Sequence, residues 1–315
     1  MKLSEMGIGE HDRRPSRAIP LVACDICGQK GAQPIFEENG HSLVRCNHCG
    51  HFFVIPLPTE MTSGFALDGQ SPPAIHKKNE LSRLRIFDEY VRMVKRYISG
   101  GRWLDIGCGC GTLLATAKSN GFDAVGTEVD KRRLDYCQAA SLPVIGEEIT
   151  SKIFKAESFD VISLINVFSH LRCPSVTFEA ITRILKSGGV ILIATSECGK
   201  TAYKNEVTSW GIPGHLHFAG PKTFKMLAVR FSLNVFYVKR ELSQKVILCE
   251  KLAYDSERPL IQGLKFIFRR FPRLTEFAPR IICLKRGYRH PRQEVVVILQ
   301  KVCRQKAGLE LIRGQ

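Results

Sequence analysis

Trp103-Leu104-Asp105-Ile106-Gly107-Cys108-Gly109-Cys110-Gly111-Thr112-Leu113-Leu114 is the stretch that decides the fold. An apolar run ending in an acid leads into glycines at every second position, and an amphipathic segment, residues 112–120, follows. That is a strand, a tight turn and a helix. Glycine carries no Cβ, so the backbone of such a turn can lie close against a ligand, while the helix N-terminus adds oriented N–H donors. Outward from the turn, apolar stretches at 124–128, 144–146, 160–167 and 190–195 read as strands, and 131–140, 175–186 and 221–231 read as helices. Upstream, Leu81, Leu84, Phe87, Val91, Val94 and Ile98 recur at helical spacing until Gly100-Gly101 closes the helix. Strands apolar on both faces, alternating with helices, predict an α/β fold with a doubly wound, Rossmann-like parallel sheet. Residues 234–239 and 245–250 read as a hairpin that ends the sheet with an antiparallel closing strand.

The turn does not carry the dinucleotide fingerprint, which is G-x-G-x-x-G with an acid about twenty residues on. Here the pattern is D-x-G-x-G-x-G, with the acid first, and a further acid, Glu128, comes seventeen residues after Gly111. These parts suit a ligand with an ammonium, a carboxylate and a ribose. Backbone N–H groups take the carboxylate, Asp105 faces the ammonium, and Glu128 accepts the ribose hydroxyls. S-adenosylmethionine has that set of groups.

A second motif lies near the N-terminus. Cys24-x-x-Cys27, eighteen intervening residues and Cys46-x-x-Cys49 place two thiol pairs on turns either side of an apparent hairpin, residues 33–36 and 42–45. Cys24, Cys27, Cys46 and Cys49 are therefore the expected ligands of one structural Zn²⁺, with His41, His48 and His51 near enough in sequence to substitute. Four protein ligands leave no open coordination position, so the metal is expected to stabilise the module and not to catalyse.

Composition adds bounds. The chain of 315 residues is 44% hydrophobic, enough for a full core, and carries a formal charge of +16. From Leu252 onward fourteen Lys and Arg stand against five Asp and Glu, so much of that excess sits in the last fifth of the sequence. The first twenty residues are polar, without the apolar core of a signal peptide, and the expected location is cytoplasmic. The expected division is a flexible arm (1–20), a zinc-ribbon-like module (21–56), a Pro- and Gly-rich linker (57–80), the main domain (81–251) and a basic C-terminal extension (252–315). For the extension, peripheral contact with anionic membrane and docking onto the core are the two readings.

WLDIGCGCG resembles the first motif of class I S-adenosylmethionine-dependent methyltransferases. Glu128 in AVGTEVD resembles the acidic end of their second strand, and SFDVISLINVFSHL with ILKSGGVILIAT their later motifs. The closing strand pair agrees, since methyltransferase sheets usually end in one. The Cys-x-x-Cys module, the bridge RCNHCGHFFVIPLP and this core together resemble bacterial small-molecule methyltransferases, several acting on sugars. The resemblance implies that Asp105, Gly107, Gly109 and Gly111 line the methionine part of the donor, Glu128 the ribose, Glu147 or Glu148 the adenine edge, and Asn166 the sulfonium region. Where the family often has Glu-His after the fourth strand, this chain has Ser169-His170.

Methyl transfer is an in-line displacement, to which a base is added when a hydroxyl must lose its proton. His170, just past the fourth strand, and His215 and His217, in a turn-rich segment before the last helix, are the candidate bases. Cys108 and Cys110 read as small residues that fit between glycines, not as nucleophiles. The expected function is methyl transfer to a small molecule such as a sugar or envelope-glycan precursor. The rivals are an RNA methyltransferase that uses the ribbon and the basic tail to hold RNA, and a non-catalytic scaffold. Nucleic acid is the less expected partner, because the ribbon lacks clustered Lys and Arg with aromatic neighbours.

Overall fold

The structure, a computed structural model, describes residues 22–59, 72–150, 152–197, 211–242 and 293–302. The chain begins with three antiparallel strands, β1 (Ala32–Glu38), β2 (His41–Cys46) and β3 (Phe52–Ile55). Then come α1 (Pro72–Val94), β4 (Gly101–Ile106), α2 (Thr112–Ser119), β5 (Phe122–Thr127), α3 (Lys131–Ala139), β6 (Val144–Ile145) and β7 (Phe159–Ile165). A 3-10 turn (Phe168–His170), α4 (Pro174–Ile184), β8 (Leu185–Glu197), β9 (His217–Phe218), α5 (Pro221–Arg230), β10 (Leu233–Leu242) and β11 (Gln293–Lys301) complete the described elements.

Seven of the described strands form one sheet, ordered β10-β11-β8-β7-β4-β5-β6, in which β4 to β8 are parallel and β11 is antiparallel to both of its neighbours. Alternate residues of its central strands bury on opposite faces. Ile162, Leu164, Ile191 and Ile193 pack under α4 and α5, whereas Val161, Val190, Leu192 and Ala194 pack under α1 and α2. This is the doubly wound, Rossmann-like sheet that the alternating pattern predicts. No described helix is long and apolar enough to cross a membrane.

Three expectations change. The antiparallel strand between β8 and β10 is β11, drawn from the stretch expected to form the extension, and the expected closing strand, 245–250, lies outside the described residues. Val295 to Leu299 are fully buried between β8 and β10. The reason is chemical: an uninterrupted β-branched run needs a neighbour on each side and cover on both faces, while β10, with Phe236 and Val238 part exposed, tolerates the edge. The second change concerns the linker, whose last part is helical. Pro72 and Pro73 open α1, a position where a missing N–H costs nothing. The remaining basic residues of 252–292, and with them any membrane contact, lie outside the described residues.

The third change is that the ribbon is not a separate bead. Its sheet takes β9 from the main domain as a fourth strand, with Phe52 opposite Phe218 and Phe53 opposite His217. Val44, Phe53 and Ile55 belong to the same core as Phe168, Phe178 and Phe224, and on the other face Leu43, Phe52 and Val54 pack on Ile212, Leu216 and Phe218. Burying each of these side chains contributes about 1.5–3 kcal/mol, so undocking the module would cost far more than a mobile domain contact.

Candidate active site

The chain leaves β4 and winds to β5 and β6 on one side, then returns to β7 and β8 on the other, so the order reverses between β4 and β7. In open α/β sheets ligands occupy the crevice at the carboxyl ends of strands at such a point. Asp105, the glycine turn and Glu128 sit there on β4 and just beyond β4 and β5. Glu147 and Glu148 follow β6 and are exposed; Asn166 follows β7, exposed, with φ 57 and its N–H donating to the Ala194 carbonyl at 2.8 Å.

The three glycines of the turn have positive φ, at 65, 60 and 76° for Gly107, Gly109 and Gly111. They are not equivalent. A Cβ on Gly107 would lie 2.6 Å from Val167 Cγ2 and one on Gly111 2.4 Å from Leu142 Cδ1, whereas one on Gly109 would meet nothing within 4 Å. Two of the positions are demanded by the protein's own packing, and the third opens onto free space.

Glu128 is buried and holds the turn. Its Oε2 accepts from the Gly109 N–H at 2.8 Å, and its Oε1 accepts from the N–H groups of Val129 and Asp130 at 2.8 and 2.9 Å. Asp105, also buried, lies opposite Ser163 in the β4–β7 register and accepts the Ser163 hydroxyl at 2.6 Å. That hydroxyl in turn accepts the Trp103 indole N–H at 2.8 Å. Burial pushes the Asp105 carboxyl up to about 7; the Ser163 hydrogen bond opposes this and the Glu128 charge adds to it. A carboxyl so placed becomes charged readily when a cation arrives. Ser163 went unnoticed in the sequence, although a single hydroxyl in the buried run Val161–Leu164 was a signal that it has a partner.

Just past β7 and just before β9 come two half-buried histidines, and Nε2 of His170 is itself fully buried. His170 Nδ1 lies 2.6 Å from the Gly214 carbonyl, His215 Nδ1 lies 3.2 Å from Ser169 Oγ, and the two ring centroids are 4.6 Å apart. Ser169 thus fills the place where the resemblance expects an acid. Burial holds His170 below the usual imidazole range, and the Arg133 guanidinium lowers it further against the pull of the Gly214 carbonyl. His217 is not with them. It is 3% exposed, its Nδ1 lies 3.0 Å from His51 Nε2, and burial holds it down to about 4. The expectation that it stands among the candidate bases is corrected: it faces the ribbon, where Phe53 and Phe168 flank the histidine pair.

In the ribbon, the Sγ atoms of Cys24, Cys27, Cys46 and Cys49 all lie within 4.8 Å of one another, with Cys24–Cys49 and Cys27–Cys46 at 3.6 Å. Tetrahedral Zn–S bonds of about 2.3 Å place sulfurs about 3.8 Å apart, so this donor set fits zinc. None of the three nearby histidines joins it: His41 lies by the Pro56 carbonyl, His48 by that of Lys30, and His51 by His217.

A sequence model described as a methyltransferase domain matches residues 79–238, just over half of the chain, and the chain belongs to that family. With the sheet above, it is a class I, Rossmann-like methyltransferase by fold. Among curated proteins it is similar to the ubiquinone biosynthesis O-methyltransferase of Methylococcus capsulatus, at 26% identity over 34% of this chain and 48% of that one. It is likewise similar to the enzyme of the same name from Paraburkholderia phymatum, at 30% identity over 38% and 53%. The chain spans about half the length of the curated relatives it matches. Among solved structures, Haemonchus contortus phosphoethanolamine N-methyltransferase 2 in complex with S-adenosyl-L-methionine aligns at 17% identity and a TM-score of 0.46, over 68% of this chain and 52% of that one.

Proposed function

We propose that the chain transfers a methyl group from S-adenosylmethionine to a hydroxyl or carbon of a small-molecule acceptor, in a reducing, cytoplasmic setting. The observation that carries this reading is the open face of Gly109 in a turn that follows the buried Asp105 and is held by the buried Glu128. When bound, S-adenosylmethionine supplies an electrophilic methyl on a sulfonium. Asp105 would take the ammonium, the turn at Gly107, Gly109 and Gly111 would line the methionine part, Glu128 would accept a ribose hydroxyl at the one lone-pair site its three N–H bonds leave, and Glu147 would reach the adenine edge. Asn166 borders the sulfonium. His170, held neutral by burial, accepts the acceptor's proton as the new bond forms, and His215 orients it. The four cysteines hold zinc as a structural ion.

A sugar or glycan precursor is the favoured acceptor, on the resemblance of the ribbon-plus-core arrangement to sugar-modifying enzymes. The second reading, a quinone-precursor hydroxyl, rests on the names of the curated relatives. Calorimetry with S-adenosylhomocysteine, then tritiated methyl transfer to nucleotide sugars, to catechols and to total RNA, tests both. Label in the sugar fraction supports the proposal, label only in catechols moves it to the second reading, and label in RNA or no binding at all sinks it.

A further inference from the structure

The ribbon and the acceptor side of the crevice share a continuous set of contacts, each passing through a residue beside a metal ligand. Asp25, between Cys24 and Cys27, accepts from the Ser175 N–H at 2.7 Å and from its hydroxyl, in the first turn of α4. The carbonyls of Asp25 and Ile26 accept from Arg230 at the end of α5. From the other knuckle, His51 follows Cys49 by two residues and is buried between Thr223 and His217.

The hydrogen bonds around that pair have one consistent direction. The Gly220 N–H donates to Thr223 Oγ1 at 3.3 Å, so the Thr223 hydroxyl proton is available for His51 Nδ1, also at 3.3 Å. His51 Nε2–H then donates to His217 Nδ1, which leaves the Nε2–H of His217 buried near the backbone of Leu171 and Arg172 without a hydrogen-bond partner among the described residues. All groups in this chain are neutral. Its far end lies beside the two residues that follow His170. Beside it, the Val54 N–H donates to the Leu216 carbonyl at 3.0 Å and the Leu216 N–H to the Ser169 carbonyl at 2.6 Å, so β3 is tied through residue 216 to the serine that meets His215.

We propose that the four-cysteine module is a positioning element for the acceptor side, and that His51 and His217 are the positioning residues that transmit its order to His170 and His215. Hydrogen bonds of the donor edge run instead among residues 103–163, so loss of the module's order should loosen one side of the crevice and spare the other. Two buried imidazoles are used where two hydrophobes would pack because a directed N–H···N contact fixes rotation as well as distance. The inference rests on the methyl-transfer reading only in naming that side the acceptor's.

The test uses the full chain loaded with Co²⁺, whose thiolate absorption reports the metal site, with hydrogen exchange read over residues 168–172 and 211–218 and S-adenosylhomocysteine affinity read by calorimetry. His217→Leu should raise exchange in both segments about tenfold or more, with the cobalt spectrum retained and the affinity within about twofold. His217→Asn, which keeps an acceptor near the Nδ1 position, should restore most of the protection. Chelating the metal from the unsubstituted protein should reproduce the leucine result and keeps the test open if that variant does not fold. Unchanged exchange after chelation overturns the proposal, as does loss of protection and of S-adenosylhomocysteine affinity together. Failure of the methyl-transfer reading looks different: the unsubstituted protein would not bind S-adenosylhomocysteine at all.

Discussion

The two sides of the crevice are built on different principles. On the donor side Gly109 reaches Glu128 across 19 residues and Asp105 reaches Ser163 across 58, all within one continuous run of the parallel sheet. On the acceptor side His51 meets His217 across 166 residues, Asp25 meets Ser175 across 150, and His170 meets Gly214 across 44. The first belongs to the repeating strand-helix unit; the second also needs the ribbon brought onto the main sheet's helices. A chain of this kind can therefore change what it methylates by altering residues that never touch the donor motif.

The sharpest way to break the comparison is at the histidines. His170→Ala combined with His215→Ala should lower turnover about 10²–10⁴-fold once an acceptor is in hand, with S-adenosylhomocysteine affinity unchanged by calorimetry. Affinity falling in step with turnover would mean that the two sides are not separate. Next in size is Glu128→Ala, which strands the N–H groups of Gly109, Val129 and Asp130. At about 1–3 kcal/mol for each orphaned donor, a thermal melt should show about 3 kcal/mol or more of destabilisation, with donor binding abolished.

The glycines allow a finer cut. Gly111→Ala meets Leu142 and a left-handed backbone, and should cost about 2–3 kcal/mol in chemical denaturation. Gly109→Ala meets no atom and should cost only about 1–2 kcal/mol of backbone strain, yet weaken S-adenosylhomocysteine more than Gly111→Ala does. Equal affinity losses would remove the open face of Gly109 as the mark of the ligand.

A pH slope cuts between the two sides in another way. Because Asp105 is raised from 3.8 to about 7, the ligand-free fold binds a proton that the unfolded chain releases between those values. Its contribution to stability therefore falls as pH rises from about 4 to 7 and is flat above. An ammonium favours the carboxylate, so S-adenosylhomocysteine affinity should move the other way, by at most about tenfold per pH unit below 7, levelling off above it. Asp105→Asn should flatten that slope.

What could be read from the sequence follows the same division. The alternating pattern, the acid-first glycine turn, Glu128 and the two thiol pairs all place partners within a few dozen residues, and each led to its element. His217 did not, because a histidine in a two-residue strand has the same sequence context whether it faces a substrate or a second histidine brought from position 51. Strand β11 was missed for a related reason: nearness in sequence drew the reading to 245–250, which lies outside the described residues, while the doubly buried position beside β8 goes to the more uniformly apolar run at 295–299. Ser163 was legible in principle, and Asp25 was hidden between cysteines whose chemistry drew all the attention.

Leu242, the last residue of β10, stands directly opposite Gln293, the first of β11, which itself stands opposite Glu197 at the carboxyl end of β8. The described residues on either side of 243–292 therefore stand one strand spacing apart. Closure entropy grows only slowly with chain length, so the distance between those two positions accommodates connections of very different length. The departure point lies on the edge that carries the donor turn. An insertion there arrives beside the crevice without any change to the elements that build it, which makes this junction a natural port for acquiring new acceptors.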